Sequence, residues 1–140
     1  MFLFDTDYIS ILKRASGREY RRLTERIADM PEDEFFVSIV SFHEQIRGWQ
    51  SYIAKAKDES GAVRGYEELE KLLYDFAQAQ VLPYDEAAAE LFVDLRTKRI
   101  RVGTMDLPIA SIAISNNLTL LTRNTTDFAR VPGLSFEDWT

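Results

Sequence analysis

Phe2, Leu3 and Phe4 form an apolar run with no helical period, and the run stops abruptly at an acid, Asp5. A short apolar stretch of this kind reads as a strand buried on both faces, as strands are in a parallel sheet. Parallel strands cannot be joined by tight hairpins, so one such strand commits the chain to others separated by crossover helices. Candidates recur at Phe35 to Ser38, at the brief Val81-Leu82-Pro83, at Leu118 to Thr122 and, shortest, at Leu134 to Phe136.

Helical spacing fills the segments between. Thr6 or Asp7 caps a short helix to about Arg14, ended by Ser16-Gly17. Residues 18–29 place Tyr20, Leu23, Ile27 and Met30 on one face, and Pro31 closes that helix. A third helix begins near Ser41 with Ile46, Trp49, Tyr52 and Ile53 on its apolar side. A turn follows over Asp58 to Gly65, and Tyr66 to Ala79 is a fourth helix with Leu69, Leu72, Leu73 and Phe76 inward, pairing with the third as a hairpin. Asp85 starts an alanine-rich helix to about Lys98. A loop at Arg101 to Thr104 leads to Asp106 and a helix over Leu107 to Asn116, with Pro108 in its first turn. Alternating strands and helices predict an α/β fold: a mainly parallel central sheet flanked by helices on both sides.

Composition sets the remaining bounds. With 140 residues the chain is expected to form one domain over 1–140, and no apolar run approaches the roughly 20 residues that span a bilayer. The start lacks the basic and apolar regions of an export signal, so a cytoplasmic location without membrane attachment is expected. The absence of cysteine rules out disulfides and thiolate metal sites. A net charge of −6 argues against general electrostatic nucleic-acid binding, yet six basic residues lie between Lys13 and Arg26 and four between Arg96 and Arg101. Such clusters are either solvated helix faces or local holds for a phosphate backbone.

In a parallel sheet, residues just after strands converge on one edge, where ligands bind in open α/β folds. Asp5, Glu44, Asp106 and the Asn124/Asp127 segment all have that placement. Each has a plain structural use: Ser41-Phe-His-Glu44 is a formal capping box, Asp106 an ordinary helix cap, and Asn124 and Asp127 turn residues. Asp5 is the exception, an acid ending a buried strand. Together these acids would repel: two carboxylates about 4 Å apart cost roughly 4 kcal/mol at an effective dielectric of 20. A divalent cation relieves this, and an all-oxygen set points to Mg2+ or Mn2+ over Zn2+. Such an ion suits phosphodiester hydrolysis by a metal-activated water, with Arg14, Lys98, Arg99, Arg101 and Arg123 as candidates to steer nucleic acid.

Four ordered motifs, Phe4-Asp5-Thr6-Asp7, Ser38-Ile-Val-Ser41-Phe-His-Glu44-Gln-Ile-Arg-Gly48, Asp106-Leu-Pro-Ile-Ala-Ser111 and Leu121-Thr122-Arg-Asn124-Thr-Thr-Asp127-Phe128, resemble those of PIN-domain ribonucleases. The likeness is greatest to VapC-type toxins of toxin–antitoxin pairs, and it extends to the Arg130-Val-Pro-Gly-Leu134 tail. The resemblance implies a PIN-like three-layer fold and a Mg2+- or Mn2+-dependent endoribonuclease. It also implies homodimers and inhibition by a cognate VapB-type antitoxin whose peptide occupies the site. By motif match Asp5, Glu44 and Asp106 are the core metal-binding acids, and Thr6, Ser41 and Thr122 are hydroxyls that orient them. The fourth acid of the family pattern is Asn124 here. Either it ligates through its amide oxygen or a water, or Asp127 supplies the missing charge.

Of the remaining candidates, His43 points to a different helix face from Glu44 and is expected to be unremarkable. Trp49 and Tyr52 either stack RNA bases or seat an antitoxin helix, with core or dimer contact as the plainer use. A contrasting reading is a non-catalytic PIN-like binding module whose acids recognise an arginine on a partner protein.

Overall fold

The computed structural model describes residues 1–140. Five strands, β1 (Phe2–Phe4), β2 (Phe35–Ser38), β3 (Val81–Leu82), β4 (Thr119–Leu121) and β5 (Ser135–Glu137), form one sheet in the order β3-β2-β1-β4-β5. Every neighbouring pair is parallel; Phe2 stands opposite Phe35 on one side and Thr119 on the other. The helices are α1 (Thr6–Arg14), α2 (Arg18–Ala28), α3 (Ile39–Ala54), α4 (Glu59–Gln78), α5 (Glu86–Thr97), α6 (Asp106–Ser115) and α7 (Thr125–Phe128). No helix is long and apolar enough to cross a membrane.

Alternation along the short strands divides the core in two. Leu3 and Leu120 point into an aliphatic cluster with Val40, Ala88, Leu95 and the α6 residues Leu107, Ile109, Ala110, Ile112 and Ala113. Phe4 and Leu121 point the other way, toward Tyr8, Ile9, Ile11, Leu23, Leu72, Phe76 and Trp139. Helix α6 is apolar nearly all round and therefore buried, whereas α2 commits only Leu23 fully to the core. Each fully buried Leu, Ile or Phe contributes roughly 1.5–3 kcal/mol relative to exposure.

The strand order reverses beside β1: the chain runs from β1 outward to β2 and β3, then returns to lay β4 and β5 on the other flank. The carboxyl ends of β1 and β4 therefore form the crevice where a doubly wound sheet binds ligands. Asp5 and Thr122 are the residues that follow those two strands.

Several local expectations are corrected. The cap of α1 is Asp5 itself, not Thr6 or Asp7: its carboxylate accepts the Thr6 amide at 2.8 Å. Helix α3 starts at Ile39, capped by Ser38, whose Oγ accepts the Ser41 amide at 3.1 Å. Glu44 thus lies in the second turn, too far along to close a capping box. Asp106 is not a cap either; it is the first residue of α6, after Met105. The turn expected over residues 58–65 is helix from Glu59, with Asp58 accepting the Gly61 amide at 2.9 Å. Gly65, taken as a turn residue, marks a close helix crossing: a Cβ there would lie 2.3 Å from Ile53 Cγ1. Leu73, expected inward, is 58% exposed. The short helix α7 carries too few residues to show a period and was not foreseen.

Candidate active site

Asp5 is held from two directions. One carboxylate oxygen accepts the Thr6 amide at 2.8 Å and the other the Thr122 hydroxyl at 2.8 Å, while its own amide donates to Leu121 O at 3.0 Å across the β1–β4 pair. Only 6% of the residue is exposed. Burial pushes its pKa up to about 6; the bonds from Thr122 and Thr6 oppose that rise, and the nearby charges of Asp106 and Glu44 add to it. Thr122 Oγ1 also accepts the Asn124 amide at 3.0 Å, so one buried hydroxyl ties the end of β4 to both.

A hydroxyl chain supports the other flank. Thr6 Oγ1 lies 2.9 Å from Ser41 Oγ, and Ser38 Oγ donates to Ser41 Oγ at 3.4 Å, joining the start of α1 to the start of α3. Ser38, Ser41 and Thr122 are fully buried yet all bonded, as buried polar groups must be. Ser38 was not singled out from sequence. Its signal is the three-residue spacing to Ser41, which fits a helix cap one turn earlier than the Ser41–Glu44 box.

Glu44 is half-buried, and its side chain makes no hydrogen bond or ion pair within the protein. It lines a recess of about 290 Å3 with Thr6, Gln45, Gly48, Trp49 and Tyr52. Asp106 faces it from α6: burial raises the Asp106 pKa most, the Gly103 backbone lowers it, and Glu44 and Asp127 raise it further. Gly103 keeps this approach open, because a Cβ there would come within 2.8 Å of Asp106 Oδ2 and push the carboxylate aside. Asn124 Nδ2 donates to Asp127 Oδ2 at 3.1 Å and reaches Asp106 Oδ2 at 3.5 Å. Both neighbours are acceptors, so the amide nitrogen, not its oxygen, faces them. Asp127 also approaches Arg130 at 3.6 Å.

The acids therefore share one crevice and sense each other's charge. No three His, Asp or Glu side chains stand close enough to hold an ion as the structure stands. The donor set nonetheless fits Mg2+ or Mn2+. Mg2+ is commonly held by one or two carboxylates while keeping several waters, and it would offset the charge repulsion that adds to the burial of Asp5 and Asp106.

The basic candidates divide. Arg123 Nε lies 2.6 Å from Asp7 and its NH1 2.8 Å from Glu19, so its charge is committed within the protein, and those acids raise its pKa. Arg14 pairs with Glu19 at 3.8 Å and Lys98 with Asp94 at 3.3 Å. Arg99 and Arg101 carry no ion pair; they lie between α5 and α6, in the segment that leads through Gly103 to Asp106. His43 is exposed beside the half-buried Glu44.

A parallel, doubly wound sheet with acids gathered at its switch point defines the class: an α/β protein with a carboxylate crevice. The chain matches the PIN domain family over residues 2–134 and belongs to it. It is similar to ribonuclease VapC2 of Rickettsia felis, 46% identical over 50 residues, or 36% of this chain and 37% of that one. It is also similar to ribonuclease VapC1 of Haemophilus influenzae, 28% identical over 142 residues that cover 100% of this chain and 98% of the other. The match to the tRNA(fMet)-specific endonuclease VapC of Salmonella typhimurium is 37% identical over 67 residues, 45% of this chain and 51% of that one. Matches to the first and third of these relatives therefore span about a third to a half of their length. The fold is similar to that in the crystal structure of DNA-bound VapBC from Salmonella typhimurium, with a TM-score of 0.78, 26% identity, and coverage of 99% of this chain and 98% of that one.

Proposed function

We propose that this protein is a VapC-type toxin: a Mg2+- or Mn2+-dependent endoribonuclease that acts in the cytoplasm as a homodimer and is inhibited by a cognate VapB-type antitoxin. Similarity to VapC ribonucleases and to a VapBC complex supports the reading. One observation carries it. At the switch point, a carboxylate fixed by two bonds of 2.8 Å is raised in energy by its burial first, and further by the charges of Asp106 and Glu44. Asp5, Glu44 and Asp106 are the residues that hold the ion, and Asp127 supplies the fourth acid in place of Asn124. A divalent ion held there would supply Lewis acidity to lower the pKa of water and to offset charge on the phosphate.

The chain's own part is positional. Thr6 and Thr122 hold Asp5 ionised and oriented, and Ser41 fixes Thr6. Asn124 spaces Asp106 from Asp127, and Arg99 and Arg101 attract the RNA backbone beside Asp106. With total cellular RNA, discrete cleavage that EDTA stops and Mg2+ restores is expected of the wild type, but not of a folded Asp5→Asn protein. An Asp5→Asn protein that cuts as well as wild type would overturn the assignment.

The spread of the acids favours a second reading, a non-catalytic module that takes a partner's arginine among them. It expects partner binding without metal and no RNA cleavage under any metal condition.

A further inference from the structure

Lys13 Nζ is the only buried side-chain polar atom in the protein without a hydrogen-bond partner. The residue as a whole is only partly buried and also borders an apolar recess with Ile9, Leu12 and Phe76, so an unpaired ammonium there favours an anion. Lys13 lies on α1 and lines a recess of about 440 Å3 between α1, α3 and α4, whose other cations are Arg14 and Lys71. Those two are engaged, Arg14 with Glu19 at 3.8 Å and Lys71 with Glu68 at 3.5 Å. Asp75 lines the same recess but forms no ion pair with Lys13.

This recess adjoins the candidate active site. It shares Gln45 and Trp49 with the smaller recess that contains Thr6 and Glu44. The wall between them is polar and ordered: Gln45 Nε2 donates to Ser10 Oγ at 3.1 Å, and Ser10 Oγ to Thr6 O at 3.2 Å. At the junction Trp49 and Tyr52 meet edge to face at 5.4 Å, with Tyr52 38% exposed, and nothing lies within 4 Å of where a Gly48 side chain would be. A phosphate hold, an aromatic surface and open backbone in a row suit a single nucleotide.

We propose that this recess is a subsite for the nucleotide next to the cleaved bond, its phosphate taken by Lys13 Nζ and its base set against Trp49. The proposal rests on the nuclease reading. The flexible lysine stem carries the ammonium into the recess as the phosphate arrives. In a chain of net charge −6, an unneutralised cation on the α1 side of the crevice, opposite Arg99 and Arg101, helps set where an RNA strand enters.

The test uses an RNA oligonucleotide spanning a bond that the wild type cuts, with methylphosphonate replacing one linkage at a time. In wild type, one neutral linkage beside the cut is expected to raise KM about tenfold with kcat unchanged, the effect of losing one charged contact. Lys13→Met is expected to raise KM similarly, to be insensitive to that same linkage, and to melt no lower than wild type; Lys13→Arg should restore part of the KM. Unchanged KM in Lys13→Met, or additive effects of the two changes, overturns the subsite. So does a lowered melting temperature shared with Asp75→Asn, which would make Lys13 and Asp75 a structural pair. Loss of affinity for an acidic antitoxin peptide with RNA cleavage intact would assign the recess to a protein partner instead. A wild type that cuts no RNA overturns the nuclease reading itself, and the subsite with it.

Discussion

The two sides of the crevice are built to different tolerances. On the β1–β4 side, Asp5 is buried and gripped at 2.8 Å by a backbone amide and a buried hydroxyl. On the α6–α7 side, Asp106 and Asp127 are half-exposed and joined only through the Asn124 amide, at 3.5 and 3.1 Å. The first arm is set by sheet pairing and does not move without breaking the core. The second hangs on a helix start, a four-residue helix and the segment around Gly103, with fewer bonds to fix it. A site that binds a hydrated ion benefits from one fixed ligand and others that adjust around it.

Four changes probe that contrast, the largest effect first. Asp5→Asn is expected to reduce RNA cleavage by at least about 10²-fold while leaving the fold intact, measured by turnover and circular dichroism. The same change should stabilise the metal-free protein at pH 7, since it removes a buried carboxylate. Thr122→Val strips Asp5 of one bond and the Asn124 amide of its acceptor. About 1–3 kcal/mol of stability is expected to go with it, read from denaturant unfolding, together with roughly 10–100-fold in metal affinity or activity.

The third is pH. Asp5 holds its proton more tightly when folded, at about 6 against its ordinary 3.8. Its contribution to stability is thus complete below about pH 4 and is lost as pH rises through 6, by at most about 3 kcal/mol. Metal-free unfolding curves from pH 4 to 7.5 should show that decline; added Mg2+ and the Asp5→Asn substitution should each flatten it. The smallest effect is expected from Asn124→Asp, which puts a third carboxylate on the adjustable arm. Without metal it should cost about 1 kcal/mol, and calorimetry should show tighter Mg2+ binding. Equal responses of the two arms to these changes would erase the distinction between them.

Much of the site was legible because its residues follow strands, and strand ends are marked by where apolar runs stop. Asp5 and Asn124 could be placed at one sheet edge from those stops, and Asp106 from its position at the start of a late helix. What could not be read was which bonds the side chains make. The Ser41–Glu44 spacing satisfies a capping box, but Ser38 caps α3 one turn earlier because β2 ends there, and Glu44 is released into the crevice. Arg123 reads as a free cation beside Asn124; only the approach of α1 and α2 gives it Asp7 and Glu19. Gly65 looked like a turn because nothing in a sequence states how closely two helices cross.

By itself the sequence determined the parallel α/β architecture, since doubly buried strands and amphipathic helices are periodic, local patterns. It also determined which acids stand at strand and helix starts. Tertiary structure alone decided that Asp5 is gripped and Asp106 is not, and that Arg123 is neutralised while Lys13 Nζ is left unpaired. Those outcomes depend on distances of a few tenths of an ångström between segments up to 117 positions apart. Hydrogen bonds and buried charges are sensitive to such distances, whereas hydrophobic periodicity is not.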